Sequence, residues 1–386
     1  MGTVAQRAIV WGTCAIAIAC GSAPPLKAPA PKEEPKPAAI APPPAQEPVT
    51  DAAVDGSLNA QSPAAPVESA ELVPTVHDAP DMTAEAVLAL PGSTSTSIGS
   101  PGAGEVRGAV PLPKQGPGFR HNDRRPHEAR FGTVELVQAL IQASAGFAQD
   151  NAVVINDLGL VNGGPIRQHG SHQSGRDADV LFFSTDRKRK PVPSVGVPID
   201  PNGHGIDFKD LAVRSDDVEL RFDAKRTWRF MASLLEVAGE EVQRIFIVEH
   251  VRTMLLAEAE RVKAPQKIKA RFEMVTCQPE TPHDDHMHIR FFCTAQDIAE
   301  GCIDGSPMYP FRRQALKKLG VSPVMEGYAA RHEKKRKEGV DERTTSMEEA
   351  RVKIEKSGPM HARVRAFLDQ REAWAKKPAV GRQYCK

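Results

Sequence analysis

Apolar residues in the middle of the chain recur at two different spacings, which predict a mixture of helices and strands. In the stretch FGTVELVQALIQASAGFAQ they return every three or four residues, as on the buried face of a helix. Thr133 precedes this run as the expected N-cap, and Glu135 lies in its first turn. The stretches FDAKRTWRFMASLLEVAG and VRTMLLAEAERVKA show the same spacing and predict two further helices.

Four shorter apolar runs predict β-strands. They are NAVVINDLGLVNGG, DVLFFST, VQRIFIVEH and HMHIRFFC, and the first is rich in β-branched residues and closed by a glycine pair. Strands and helices alternate with polar loops. The pattern therefore predicts an α+β domain over residues 118–310, with a central antiparallel sheet flanked by helices.

The first 117 residues lack these patterns. Residues 1–20 contain Arg7 and then a short apolar run, which is too short to span a bilayer but typical of a secretory signal. Their last four residues, AIAC, resemble a bacterial lipobox, so Cys20 is a candidate for lipidation, with ordinary signal cleavage as the alternative. Residues 21–117 hold more than half of the 33 prolines and few large apolar residues. We expect them to form a disordered Pro/Ala-rich tether.

The C-terminal residues 311–386 are basic, with 20 lysines and arginines against 10 acidic residues. Acidic residues are mixed into helical stretches such as ARVRAFLDQREAWAKK, and aromatic residues are not interleaved with the basic ones. The segment therefore predicts a solvated helical tail that does not bind nucleic acid. Attraction to anionic envelope polymers or lipid surfaces is the remaining interpretation of its charge.

Four cysteines lie outside the predicted signal. Export to an oxidising compartment permits disulfides, and four cysteines allow three complete pairings. Cys293 and Cys302 are close in sequence and are the favoured pair. Cys277 and Cys385 would then remain, and the sequence does not establish that they pair.

Five of the 12 histidines lie in two short stretches, HGSHQSGRDAD and HDDHMHIRFF. His286 and His288 are two apart on a predicted strand, so their side chains point to one face. Together with His172 and Asp179, His288 completes a set of three zinc ligands with one open position. His286 is left beside this set, where a neutral imidazole suits a general base that later returns the proton to a leaving amine. The pattern thus predicts a hydrolase with no essential serine or cysteine.

Neither motif is specific alone. Alternate histidines on a strand are often polar residues on a solvated face, and an H-x6-D spacing is common. Their joint presence, each beside an apolar strand, favours a metal site. A non-catalytic zinc and a histidine-rich surface are the alternatives.

The combination of VVINDLGLVNGGPIRQHGSHQSGRDADVLFF and HDDHMHIRFF resembles the penicillin-insensitive murein endopeptidases. These are zinc metallopeptidases related to lysostaphin-type enzymes and to D-Ala-D-Ala carboxypeptidases. The resemblance covers residues 127–305 and leaves out the tether and the basic tail.

The resemblance implies a role for each matching residue. His172, Asp179 and His288 stand at the positions of the zinc ligands, and His286 at that of the catalytic histidine. His169 and His283 match two further active-site histidines, which orient substrate or support the developing oxyanion; a loop hydrogen bond is the alternative for His169.

Asp177 and Arg176 lie beside these positions. On a strand, Asp177 faces the same side as Asp179, so it is a candidate to hold a ligand imidazole in one tautomer; capping the turn at Gly175 and Arg176 is an equal alternative. Arg176 stands where the family pattern leads us to expect an apolar residue.

The sequence thus predicts an exported zinc metallo-endopeptidase acting on peptidoglycan stem peptides. The resemblance implies the D-alanyl to diaminopimelyl cross-link as the bond cleaved. The alternatives are a D-Ala-D-Ala type carboxypeptidase with the same chemistry and a non-catalytic wall-binding zinc module. The expected location is the periplasm, with a membrane anchor through Cys20.

Overall fold

The computed structural model describes residues 81–166, 169–279, 283–325, 352, 355–356, 358–376 and 385. All of them belong to one compact unit, residues 71–386. The predicted signal peptide, Cys20 and the tether up to residue 80 lie outside the described residues. No helix in the described ranges is long and apolar enough to cross a bilayer.

The described ranges contain eight α-helices. In chain order they are α1 Ala84–Leu88, α2 Val134–Ser144, α3 Ala224–Val237, α4 Glu249–Arg261, α5 Gln266–Val275, α6 Ala295–Ala299, α7 Pro310–Lys318 and α8 Ala362–Lys376.

The strands form one large sheet and three small ones. They are β1 Thr96–Ser100, β2 Ala103–Arg107, β3 Val110–Pro111, β4 Gln115–Gly116, β5 Phe119–His121, β6 Phe131–Gly132, β7 Val153–Ile155, β8 Asp177–Leu181, β9 Ser184–Thr185, β10 Pro191–Val192, β11 His204–Asp207, β12 Val218–Phe222, β13 Val242–Phe246, β14 Thr276–Cys277 and β15 His286–Phe291.

The α+β class is confirmed, but the prediction of a purely antiparallel central sheet is wrong. The seven-stranded sheet has the order β14-β13-β15-β8-β7-β5-β4 and is mixed. Strands β5 and β7 are parallel because α2 crosses between them, and β13 and β14 are parallel because α4 and α5 do. The other neighbours are antiparallel, including the central pair β8 and β15.

Alternation along β8 and β15 separates a core face from a polar face. Ala178, Val180, Met287 and Ile289 are fully buried and belong to the main hydrophobic cluster. The residues between them, two aspartates on β8 and two histidines on β15, point to the opposite face. The core therefore lies on one face of the central strands and the candidate site on the other.

The predicted tether, residues 21–117, extends too far at its C-terminal end. Residues 84–116 form α1 and β1 to β4, and apolar side chains such as Val87 and Leu112 are fully buried. Composition gives the wrong prediction for this segment because its small residues let the backbone pack closely, without the many large apolar side chains that usually indicate a folded segment. A side chain at Gly104 would place its Cβ 2.5 Å from the carbonyl oxygen of Ile98. The β1–β2 hairpin also contacts the histidine loop, where the Gln173 amide donates to the carbonyl of Pro101 (3.0 Å).

The four cysteines form two disulfides, Cys293–Cys302 and Cys277–Cys385. The first is the pair that sequence spacing favoured. The second joins the end of the chain to β14, next to the segment that carries three of the candidate histidines. Helices α7 and α8 lie within the predicted helical tail, and most of the chain between them is outside the described residues.

A small cavity of about 100 Å³ lies behind the sheet, between the start of α2 and α6. Glu135, Glu241, Asp297 and Arg312 line it. Burial raises the pKa of Glu135 to about 7; hydrogen bonds from its own backbone and from Thr133 oppose the rise, and the charge of Asp297 adds to it. Its ionised form is therefore costly in the folded protein.

Replacing Glu135 by glutamine is expected to change how stability depends on pH. A carboxyl group whose pKa is raised by folding stabilises the protein fully below its unfolded value of 4.5, and that contribution is lost as pH rises through about 7. Below pH 4.5, the difference in free energy of unfolding between the wild-type protein and Glu135→Gln should change little with pH. Between pH 4.5 and pH 8, the free energy of unfolding of Glu135→Gln should therefore rise by about 2–3 kcal/mol relative to that of the wild-type protein. Denaturant unfolding at both pH values measures this, with the exposed Glu273→Gln as control. Parallel profiles for all three proteins would contradict the prediction.

Candidate metal centre

The loop between β7 and β8 brings two histidines, His169 and His172, next to Asp179 of β8. His172 has a φ of 68°, in the left-handed region that residues with a Cβ rarely adopt, and Gly175 follows with a φ of 71°. The His172 amide donates to Asp177 Oδ2 (3.1 Å), which closes the turn. Such strained backbone costs on the order of 1 kcal/mol or more and is concentrated at functional sites.

Strands β8 and β15 bring the other site residues face to face. Their antiparallel register pairs His288 with Asp179 and Arg290 with Asp177. His286 lies two positions before His288, opposite Leu181. The i, i+2 spacing seen in both motifs therefore directs all four polar side chains into the same space.

Four imidazoles converge on the carboxylate of Asp179. Its Oδ1 lies 3.4 Å from His172 Nε2, 3.5 Å from His288 Nδ1 and 3.5 Å from His286 Nε2. Its Oδ2 lies 3.7 Å from His169 Nδ1. Asp179 is almost completely buried, so solvent does little to screen its charge.

The far nitrogens of His172 and His288 are already occupied by hydrogen-bond acceptors. His172 Nδ1 is 2.5 Å from the carbonyl oxygen of Leu158, and His288 Nε2 is 2.8 Å from Asp177 Oδ1. An acceptor at that position requires the proton there, which leaves the nitrogen that faces Asp179 with a lone pair in the neutral ring. This arrangement is typical of histidines that bind a metal.

His169 and His286 are held in the same way by two aspartates. His169 Nε2 is 2.8 Å from Asp157 Oδ2, and His286 Nδ1 is 2.6 Å from Asp285 Oδ1. Asp157 is also bound by Arg125 through both carboxylate oxygens. Neither aspartate nor the arginine was identified from the sequence.

His283 lies against the two histidines of β15. Its ring centroid is 5.0 Å from that of His286 and 5.4 Å from that of His288. Like His172, it has a positive φ, 49°. Its carbonyl oxygen accepts a hydrogen bond from the amide of Val248 (3.1 Å), which holds this strained residue against the start of α4.

The centre has the properties expected of a cation site. His172 Nε2 and Asp179 Oδ1 are buried and make no hydrogen bond within the described part of the chain. Two such acceptors repel each other at 3.4 Å unless positive charge lies between them. Ligand atoms held tetrahedrally about 2.0–2.1 Å from zinc lie roughly 3.3 Å apart, close to the separations found here.

The structure offers more than one set of ligands. The set predicted from the sequence is His172, Asp179 and His288. In this set, His172 Nε2 and His288 Nδ1 lie 3.4 and 3.5 Å from Asp179 Oδ1. His169, His172 and Asp179 also place their ligand atoms within 4.8 Å of one another. His172 and Asp179 are common to both sets.

The pKa values reflect the concentrated charge. Burial would lower the pKa of His286, but the charges of Asp179 and Asp285 raise it to about 9. Burial and the charge of His172 lower the pKa of His288 to about 3, although the hydrogen bond to Asp177 and the charge of Asp177 act to raise it. The pKa of Asp179 lies well below its usual value although burial would raise it, mainly because of the charge of His286 and then of that of His172. A divalent cation beside Asp179 would take over that balancing charge and bring the pKa of His286 back down.

Arg176, at a position where the resemblance led us to expect an apolar residue, does not enter this centre. Its guanidinium is buried and donates to Ser97, to Asp304 and to the backbone carbonyls of Phe291 and Ile303. The hydrogen bonds described for the Arg176 side chain thus involve none of the site histidines.

The sequence model of one family, described as penicillin-insensitive murein endopeptidase, matches residues 97–310. This range begins within β1 and includes every side chain of the centre. No curated protein is found to match the chain.

Proposed function

Since the chain belongs to the penicillin-insensitive murein endopeptidase family, we propose that it is an exported zinc enzyme that hydrolyses the D-alanyl to diaminopimelyl cross-links of peptidoglycan. Family membership indicates a hydrolase that acts on murein peptides. Zinc, export and the particular bond are the finer parts of the proposal.

The observation that carries the zinc assignment is the pair of buried acceptors, His172 Nε2 and Asp179 Oδ1. A buried carboxylate beside imidazole lone pairs favours a positive ion, and zinc prefers this combination of nitrogen and oxygen ligands. We assign His172, Asp179 and His288 as the ligands. Asp177 and the carbonyl of Leu158 hold two of these imidazoles in the required tautomer.

These three ligands would hold zinc as a Lewis acid, which would polarise the scissile carbonyl and lower the pKa of a bound water to about 7. His286 is oriented by Asp285, and its Nε2 faces the centre, so it accepts the proton of the attacking water and passes it to the leaving amine. His169 and His283 flank the same space, where they can contact the substrate carbonyl as negative charge develops on its oxygen.

The proposed location follows from the N-terminal sequence and the two disulfides. The signal-like residues 1–20 direct the chain out of the cytoplasm, and disulfides persist in oxidising compartments. Lipidation at Cys20 would anchor the enzyme at the membrane. Incorporation of labelled fatty acid that disappears in Cys20→Ala would support this part of the proposal, and equal labelling of both chains would refute it.

The reaction is tested with the purified exported chain and a defined cross-linked muropeptide dimer. We expect two monomers, detected by mass spectrometry; a chelator should stop their formation and zinc should restore it. Release of one D-alanine from an intact dimer would instead indicate a carboxypeptidase. A folded, zinc-loaded chain that binds the dimer without any product would indicate a wall-binding module.

A further inference from the structure

Helix α8 lies outside the family match yet contacts the segment that carries the catalytic histidines. The match ends at residue 310, whereas α8 spans Ala362–Lys376. Beyond it, the Cys277–Cys385 disulfide joins the chain end to β14, and the Cys385 amide donates to the carbonyl of Gln278 (3.0 Å). Cys385 is thus held beside β14 on the far side of this contact along the chain.

The contact is centred on Asp284, a fully buried carboxylate. Arg371 binds it with two parallel hydrogen bonds, from Nε to Oδ2 (2.9 Å) and from Nη2 to Oδ1 (2.7 Å). Trp374 Nε1 donates to the same Oδ2 (3.0 Å). Bidentate arginine pairs fix direction as well as distance, so this contact determines the orientation of Asp284.

Asp284 lies between the residues that the proposed reaction uses. His283 precedes it with a strained φ of 49°, and Asp285, which follows, orients His286. The Asp284 carbonyl accepts from the amide of Ile199 (2.8 Å), so its backbone and its side chain are both held. Without its partner on α8, a buried charge at this position would draw the segment toward solvent.

The other end of α8 is anchored separately. Arg363 pairs with Asp217 and Glu219 beside β12, and Phe367 packs on Phe208 with ring centroids 5.5 Å apart. No contact described for Arg363 involves a candidate site histidine. It therefore provides a matched control on the same helix.

We propose that Arg371 and Trp374 are positioning residues, which act through Asp284 to hold His283 and His286 in the geometry needed for hydrolysis. The inference rests on the proposed function, because it assumes that these histidines serve the reaction. It assigns a role in catalysis to a helix beyond the region that defines the family. Displacements of about 1 Å in a reacting group can cost roughly 10²-fold in rate.

The test uses the full exported chain, loaded with zinc. In Arg371→Gln we expect kcat to fall about 10²-fold with little change in KM. Bound zinc should stay at the wild-type level, and hydrogen exchange of residues 283–288 should become faster. Arg363→Gln should keep kcat within about two-fold and leave that exchange unchanged. The double variant Asp284→Asn/Arg371→Gln, which removes both charges, should recover at least about ten-fold of the lost kcat.

Three results would overturn the inference. They are a wild-type kcat in Arg371→Gln, an equal loss in Arg363→Gln, and unchanged exchange of residues 283–288. A wild-type chain without turnover would refute the proposed hydrolase, and the exchange comparison between the two variants would then still decide whether Arg371 orders this segment.

Discussion

Replacing His286 by alanine is expected to abolish hydrolysis while zinc stays bound. The ring lies beside Asp179 and is oriented by Asp285, but it is not one of the three assigned ligands. Losing a general base typically lowers the rate by about 10²–10⁴-fold. The remaining imidazoles keep their own partners, Leu158 and Asp177, so the cation site itself should persist.

His288→Ala is the informative comparison, because it removes an adjacent imidazole on the same strand and face. His288 is an assigned ligand, so this variant should lose both the metal and the activity. Metal content, measured by mass spectrometry of the purified proteins, and kcat on the muropeptide dimer together separate the two roles. A fully active His286→Ala protein would refute the base assignment, and an active, zinc-replete His288→Ala protein would refute the ligand assignment.

Local patterns in the sequence predicted which polar side chains of the two central strands share one face. The i, i+2 spacing of Asp177 with Asp179, and of His286 with His288, directs these side chains to one face as soon as both segments form strands. The register between the two strands then brings His288 opposite Asp179. Pairing of the two strands is therefore enough to bring these side chains together. Both strands show the alternation of apolar and polar residues that such pairing requires.

The partners outside this inner set depend on contacts that no local pattern encodes. Asp157 stands with Asn156 directly after β7 and before further apolar residues, a position that gives little signal; it meets His169 only because the loop folds back. Arg125 is further away in sequence, and Arg371 reaches Asp284 across 87 positions. The sequence signal for Asp157 is weak and consists of its position, beside Asn156, where the β-branched residues of β7 end.

The errors in the predicted fold have similar physical causes. Strand and helix order was read correctly over much of the domain, but the direction of pairing depends on which helices cross over the sheet, and α2, α4 and α5 do so. Composition gave the wrong prediction for residues 84–116. Glycine and serine usually indicate loops, whereas here they allow the backbone to pack closely against the loop between β7 and β8, which carries His169 and His172. Composition measures apolar side chains and does not detect this kind of packing.

Replacing Arg176 by methionine is expected to lower the free energy of unfolding by about 3–5 kcal/mol, the usual cost of breaking a buried ion pair by removing one partner. The Arg176 side chain is 1% exposed. It donates to Ser97 Oγ (3.0 Å), to Asp304 Oδ1 (3.1 Å) and to the carbonyls of Phe291 (2.8 Å) and Ile303 (3.0 Å). Methionine fills a similar volume but leaves all four acceptors without this donor.

The largest part of this loss should come from Asp304, whose carboxylate is completely buried. Burial raises the pKa of Asp304 even with Arg176 beside it, so the ionised group is costly without that partner. The double variant Arg176→Met/Asp304→Asn removes the orphaned charge and keeps an oxygen that can accept from the Cys293 amide. We therefore expect it to recover most of the lost stability, since exchanging a buried pair for neutral groups is often close to neutral.

Denaturant unfolding of the four proteins in this cycle, with disulfides intact and zinc at a fixed concentration, measures the coupling between the two residues. A double variant as unstable as Arg176→Met would show that the carbonyl acceptors, and not the ion pair, account for the loss. A stable Arg176→Met protein would mean that the site accepts the apolar residue expected from the family pattern without penalty. The predicted result instead means that Arg176 is stable in the core because Asp304 accompanies it, so that a buried arginine can stand directly before Asp177.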